Sequence, residues 1–176
     1  LHAAAALLPA AQGLARIKLL QLFTGSFAVT GAHAGVSRIE SAREVLDLSR
    51  EWGDPYRLYH ALVRLAFVVG IEGDTQEARR LLAEARGLER ADWLRAKAMM
   101  SQYAAGIETL AGDTMAWASE LQRCLALTEQ AGMVATQGLV QVELAEVALA
   151  QADGPRAVEL CEKGLDSAHR LGMTTL

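Results

Sequence analysis

The sequence is poor in aromatic residues, cysteine and proline. Phe, Trp and Tyr make up 5% of its 176 residues, and it contains two cysteines and three prolines. Strands favour aromatic and β-branched side chains, so the shortage of aromatics argues against an all-β fold. Cys124 and Cys161 are too few to build a disulfide framework, and we expect a reducing, cytoplasmic location.

The chain also has no surplus of positive charge. Lys and Arg number 17 against 21 Asp and Glu, which gives a net charge of -4. Nucleic-acid-binding modules usually carry a basic surplus. Arg79, Arg86, Arg90 and Lys97 recur at helical spacing, but acidic residues are interleaved with them, so a solvated face is favoured. We expect no direct contact between this segment and nucleic acid.

Long hydrophobic runs are missing too. The apolar stretch over residues 19–32 is too short and too polar to span a bilayer. It follows Arg16 and Lys18 and ends near Ala32-His33-Ala34, which has the form of a signal-peptidase site, but it begins well inside the chain. We therefore expect no membrane contact. Because the sequence begins with Leu1, we expect it to be a segment of a longer protein.

Alanine and leucine are abundant, with 33 and 27 residues respectively. Both lose little side-chain entropy in a helix. Hydrophobic residues make up 52% of the chain, which excludes intrinsic disorder. The composition therefore predicts an all-α fold.

A repeat runs along the chain. The turn signals Gly73-Asp74, Gly112-Asp113 and Ala152-Asp153-Gly154 place their Asp residues 39 and 40 positions apart. When the segments are aligned at these Asp residues, similar residues recur eight positions before, eight after and eleven after. They are Ala66, Ala105 and Ala145, then Leu82, Leu121 and Cys161, and then Ala85, Cys124 and Gly164.

Each repeat predicts a helix hairpin. Gly ends one helix in a left-handed conformation, and the Asp carboxylate caps the next helix. Small residues in mid-helix let two backbones approach closely. With Asp54-Pro55 as a further helix start and Ser37 and Glu40 as a capping box, the pattern predicts eight helices in four hairpins. These span about residues 10–52, 55–90, 91–131 and 133–171, with a longer connection over 31–36.

The repeat resembles the tetratricopeptide repeat over residues 55–171. The resemblance implies one domain over residues 1–176, a right-handed superhelical array of about four antiparallel hairpins. The period is nearer 40 residues than the 34 of the tetratricopeptide repeat. The longer, Ala- and Leu-rich hairpins resemble the helical-repeat segment of large bacterial ATPase-type transcriptional regulators of the maltose-activator type. The residues that match the pattern are Ala66, Gly73-Asp74, Ala78, Leu82 and Ala85. Those that depart from it are Leu62, Ser101 and Gln141 in place of an early aromatic, and Trp117 in place of Ala.

Catalytic and metal-binding motifs are absent from the sequence. There is no phosphate-binding Gly-x-x-x-x-Gly-Lys loop, and the four histidines stand in no His-Glu-x-x-His arrangement. Cys124 and Cys161 occupy packing positions of second helices, so we expect them to be buried and unreactive. We expect no enzyme activity, no metal and no cofactor.

The resemblance also implies a concave wall lined by the first helix of each hairpin. This wall is largely apolar and lacks the Lys, Arg and Asn side chains that hold a peptide carboxylate in the family's carboxylate clamp. The alternative is that Phe67, Met99 and Leu139 pack inside the hairpins. The binding candidates are His60, Val63, Phe67 and Ile71, then Met99, Gln102, Gly106 and Leu110, and then Leu139, Val142, Glu146 and Ala150.

These observations favour a non-catalytic module that binds a protein segment, a neighbouring domain of its parent chain or a small effector. We expect the parent to be a cytoplasmic bacterial regulator of signal transduction or transcription. The alternative is a structural homo-oligomerisation segment, such as a homodimer, in which apolar faces around residues 3–8 and 165–173 meet a second copy.

Overall fold

The computed structural model describes residues 2–24 and 36–172. Residues 38–170 contain helices and turns but no strand, so the all-α prediction is confirmed. Eight helices of twelve or more residues follow a short first helix that the sequence pattern did not predict. The elements are α1 (His2–Leu7), a 3-10 turn (Leu8–Ala10), α2 (Gly13–Thr24), α3 (Arg38–Trp52), α4 (Pro55–Ile71), α5 (Thr75–Arg86), α6 (Leu94–Ala111), α7 (Thr114–Gln130), α8 (Val134–Ala150) and α9 (Gly154–Arg170).

The chain forms two compact units, Leu1–Glu89 and Arg90–Leu176. The helices occupy the ranges that the repeat predicts for the hairpins, while most of the predicted connection, residues 31–35, lies outside the described residues. Stacking of all hairpins into one superhelix stays a prediction. No helix in the described part of the chain is long and apolar enough to cross a membrane.

Asp side chains begin the helices as the repeat predicts. The carboxylate of Asp74 accepts a hydrogen bond from the Glu77 amide at 2.9 Å, and that of Asp113 accepts one from the Ala116 amide at 3.0 Å. Asp54 and Asp153 cap α4 and α9 in the same way. These bonds satisfy amides that have no partner within their helix, so each Asp fixes where its helix starts.

The residue before each repeat Asp has a left-handed backbone. Gly73 and Gly112 have φ of 103° and 72°, and Ala152 holds φ of 60° at the aligned position. Gly adopts this conformation freely, whereas an L-residue with a Cβ is strained there by about 1–2 kcal/mol. The α8–α9 turn therefore keeps the geometry of the repeat without its usual residue.

In the first unit, α4 is the buried helix. Tyr59, Leu62 and Ala66 are 0% exposed, and α4 packs against both α3 and α5. A salt bridge of 3.1 Å from Arg50 to Glu84 joins α3 to α5 at the surface. The predicted burial of Ala66 is confirmed, because its small side chain lies where the helices meet.

In the second unit, α7 and α8 share a continuous core. Ala105 and Ala145 are 0% and 2% exposed, as predicted. Cys124 is fully buried and donates a hydrogen bond from Sγ to the Ala98 carbonyl at 3.2 Å. The packing prediction for Cys124 is confirmed, and its thiol lies directly against the backbone of α6.

The corresponding prediction for Cys161 is wrong, since this side chain is exposed. Leu121 holds the aligned position in α7 and is buried in one cluster with Val140 and Leu144 of α8. In the described part of the unit, α9 packs against α8 and no other helix covers its outer side. Burial of Leu121 therefore comes from α8, whereas no described helix supplies the equivalent cover for Cys161.

Helices α8 and α9 cross at two glycines. A Cβ on Gly164 would lie 3.1 Å from Val142 Cγ2 and 3.2 Å from the Gly138 carbonyl oxygen. A Cβ on Gly138 would lie 3.1 Å from Ser167 Cβ and 3.3 Å from the Gly164 carbonyl oxygen. The two backbones therefore approach closely, and a side chain at either position would require its neighbours to shift by a few tenths of an ångström.

We expect Gly164→Ala to lower the free energy of unfolding by about 1–3 kcal/mol, because the new methyl group would press on a backbone oxygen that cannot move independently. Gly106→Ala in the middle of α6 is the matched control, since its Cβ would meet nothing within 4 Å. The control should raise stability by up to about 1 kcal/mol through helix propensity. Chemical denaturation measures both variants, and equal effects would contradict the close crossing.

Candidate functional site

An apolar groove of about 500 Å³ lies between α8 and α9. The glycine crossing forms its floor, and larger side chains rise on either side. We call it the α8–α9 groove. Its lining residues are Val134, Ala135, Gly138, Leu139, Val142, Cys161, Gly164, Leu165, Ser167, Ala168 and Leu171.

The large apolar side chains of this groove are exposed. Leu139 is 60% exposed, Val142 45% and Leu165 49%. Leu149 and Val158 continue the same faces of α8 and α9 at helical spacing, and they are exposed as well. Exposed apolar side chains grouped in this way make the groove a candidate interaction surface.

The structure brings together some of the predicted binding residues. Leu139 and Val142 line the groove, and Glu146 follows one turn later on the same face of α8. On α6, Met99 and Leu110 are exposed and Gln102 is half-buried. These three α6 residues are outside the groove lining.

The α4 candidates belong to the other unit and are more enclosed. Val63 is 3% exposed, whereas His60, Phe67 and Ile71 are half-buried. His60 meets the Tyr56 ring edge-on, with 4.5 Å between ring centroids. Burial, and secondarily the Arg64 charge, lower the pKa of His60. This imidazole is therefore neutral at pH 7 and offers no positive charge to a ligand.

Half of the groove comes from α9, whose residues were not among the concave-wall candidates. The resemblance directed attention to first helices, and α9 is a second helix. The apolar face expected around residues 165–173 does include part of the α9 wall, because Leu165 and Leu171 line the groove. Met173 lies outside the described residues. At the other expected face, Leu7 is exposed and Leu8 is buried.

Glu143 is a half-buried carboxyl on α8. Burial, and secondarily the Glu146 charge, raise the pKa of Glu143, while a hydrogen bond with Gln102 opposes the shift. The predicted site residues Gln102 and Glu146 therefore both act on one half-buried carboxyl. Ionised Glu143 is less stable in the fold than in water.

We expect Glu143→Gln to raise the melting temperature at pH 7. A raised folded-state pKa means that folding opposes ionisation, so wild-type stability falls as the pH rises from the ordinary value of 4.5 through the raised value. The advantage of the variant should vanish below about pH 4, where the wild-type carboxyl is protonated. Thermal unfolding across this range measures the difference, and a variant that is less stable at pH 7 would contradict the assignment.

The two cysteines differ in chemistry. Burial, and secondarily the charges of Glu143 and Glu120, raise the pKa of Cys124 to about 12. Cys161 is exposed at the groove surface. The structure therefore predicts one accessible thiol in the native chain.

We expect an aromatic disulfide reagent to modify one thiol per native chain at pH 8 and two in denaturant. Thiol modification requires the accessible thiolate, which Cys124 does not supply in the fold. Cys161→Ser should abolish the native reaction, whereas Cys124→Ser should leave it unchanged. Absorbance of the released thiol measures the count, and two rapid native reactions would refute the packing of Cys124.

The described residues contain no group of three or more His, Cys, Asp or Glu side chains placed to hold a metal ion. A second cleft on the opposite side of α9 is polar and mixed in charge. Arg156, Lys163 and Arg170 line it together with Glu129 and Asp166.

No protein-family model matches the sequence, and no curated protein matches it either. The chain is similar in fold to the crystal structure of BtubC (BKLC) from P. vanneervenii, with a TM-score of 0.66 and 21% sequence identity. The similarity covers 77% of this chain and 57% of that chain, so this chain spans little more than half the length of BtubC. The likeness concerns the all-helical fold.

Proposed function

We propose that this chain is a non-catalytic interaction module that binds a protein segment along the α8–α9 groove. Its hairpins would stack as a tetratricopeptide-like array within a cytoplasmic bacterial regulator of signalling or transcription. The observation that carries the proposal is the exposure of Leu139, Val142 and Leu165 around one groove.

The groove has enough apolar surface to bind a segment usefully. Complete burial of an exposed Leu or Val contributes roughly 1.5–3 kcal/mol, so completing the burial of a half-exposed one contributes about 1 kcal/mol. Leu139, Val142, Leu165 and Leu171 are each near half exposed. Their combined burial amounts to several kcal/mol, part of which offsets the entropy lost on association.

The shape of the groove favours a chain segment over a compact effector. Its lining runs from Val134 to Val142 along α8 and from Cys161 to Leu171 along α9. Exposed Leu149 and Val158 extend the apolar surface beyond the far end of the lining. An elongated partner can cover this whole length, whereas a small molecule would leave most of it in water.

Self-association through the same face is the second candidate function. The same exposed leucines that would hold a partner segment could also meet a second copy. Peptide binding and self-association would both bury Leu139 and Leu165, so substitution of these residues would weaken either one. The mass of the protein in solution distinguishes the two functions.

The test measures both mass and binding. The probe is a synthetic peptide of about 18 residues, or five helical turns. It carries Leu at i, i+4, i+7 and i+11 on an Ala and Gln background. We expect a concentration-independent monomer whose melting temperature rises with the peptide, because ligands stabilise the native state. The peptide should also slow modification of Cys161.

Leu139→Ser with Leu165→Ser should weaken peptide binding by about tenfold or more, since 1.4 kcal/mol corresponds to a factor of ten. Leu110→Ser is the matched control, because this residue is 58% exposed on α6 and lies outside the groove. A dimer that the double variant dissociates would instead support self-association. A monomer that binds no peptide would overturn the proposal.

A further inference from the structure

The α6–α7 hairpin shows what the α8–α9 groove is shaped to hold. When the two hairpins are aligned at Asp113 and Asp153, Cys161 corresponds to Leu121, and Gly164 to Cys124. Leu121 and Cys124 are 0% exposed. They lie in one buried cluster with α8, which brings its own apolar side chains to that surface, namely Val140, Leu144 and Val147.

Helix α8 therefore covers the α6–α7 surface as an amphipathic helix. Its contact residues Val140, Leu144 and Val147 have the spacing i, i+4 and i+7, which places them on one helical face. The Gln137 side chain fixes this helix by donating a hydrogen bond to the Thr128 carbonyl at 3.0 Å. The aligned surface of α8–α9 also consists mainly of small and apolar residues, but no described helix covers it, and Leu139, Val142 and Leu165 are exposed.

The groove differs from the α6–α7 surface in charge. Glu146 follows Val142 by one turn of α8, and Glu162 precedes Leu165 by three positions on α9. Both are exposed, and neither forms an ion pair with any described residue. The aligned residues of the preceding hairpin are uncharged, Gly106 and Gln122.

No Lys or Arg side chain of α8 or α9 lines the groove. Helix α8 contains no Lys or Arg. The three of α9 are Arg156, Lys163 and Arg170, spaced seven residues apart, and all three line the cleft on the opposite side. Arg156 and Lys163 are each paired with Glu159 at 2.6 Å. The groove therefore has an apolar floor, and the carboxylates beside it are Glu146 and Glu162, while His169 follows Leu165 by one turn of α9.

We propose that the partner in this groove is an amphipathic helix from another polypeptide, with apolar residues at i, i+4 and i+7 and Lys or Arg beside that stripe. This inference rests on the proposed function and specifies its ligand. The apolar stripe would fill the groove as α8 fills the α6–α7 surface. The basic residues would face Glu146 and Glu162, where complementary charge adds specificity and speeds encounter.

The same charges argue against two other occupants. A second copy meeting this face symmetrically would bring Glu146 and Glu162 against acidic residues of its own kind. The apolar face of α8 that carries Val140, Leu144 and Val147 is already buried in its own chain, so a second copy could not insert this face into the groove. An anionic membrane surface would be repelled by Glu146 and Glu162.

The test uses the full chain and three synthetic helical peptides of about 18 residues. All share one Leu stripe, and the flanking positions carry Lys, Gln or Glu. We expect the affinity to fall in the order Lys, Gln, Glu, with the Lys peptide about tenfold tighter than the Gln peptide at low salt. Raising the salt concentration should reduce this ratio, because exposed charges are screened. Titration calorimetry measures each affinity.

Glu146→Gln with Glu162→Gln should remove the preference for the Lys peptide and leave the affinity for the Gln peptide unchanged. The matched control removes two acidic charges from the opposite cleft, Glu129→Gln with Asp166→Asn, and should keep the preference. A preference that survives the first double variant, or disappears in the control, would overturn the inference.

The outcomes separate this inference from the proposed function. Equal affinity for all three peptides would overturn the basic-helix inference and leave groove binding intact. Absence of binding by every peptide, with a concentration-dependent dimer, would overturn both. Binding to phosphatidylserine vesicles in place of the Lys peptide would also overturn the inference.

Discussion

The close approach of paired helix backbones is the constraint on which the hairpins depend. In the α6–α7 hairpin, the Cys124 thiol reaches the Ala98 carbonyl at 3.2 Å. In the α8–α9 hairpin, glycine replaces both of these aligned residues, and the backbones approach closely at Gly138 and Gly164. Larger residues one position away, such as Leu139 and Leu165, are then left to project from the crossing, and they form the walls of the groove.

Local signals in the sequence were sufficient to predict where α5, α7 and α9 begin. An N-cap bond joins residues two or three positions apart, so Asp74, Asp113 and Asp153 could be assigned without knowledge of the fold. Burial of Ala66 and Ala105 also followed from periodicity, because a small residue recurring in mid-helix implies a crossing. Short-range chemistry thus predicted much of the secondary structure and part of the packing.

Features that depend on neighbouring helices could not be predicted in this way. Cys161 holds the repeat position that is buried at Leu121, where α8 packs against α7, but no helix of the described unit covers the outer side of α9. The α9 wall of the groove was missed as a binding surface for a similar reason, since the repeat pattern assigns binding to first helices. Glu162 is charged where the aligned Gln122 is neutral, and this difference suggests a ligand preference only after the structure shows that Glu162 lies near the groove.

The placement of Cys161 also allows the groove to be labelled covalently without any bound partner. A thiol beside Leu165, with the other cysteine buried in the core, is a single point for covalent attachment. Electrophilic fragments with apolar tails would be retained there in proportion to how well they fit the surrounding leucines. Tethered fragments of this kind could map the apolar surface of the groove side chain by side chain.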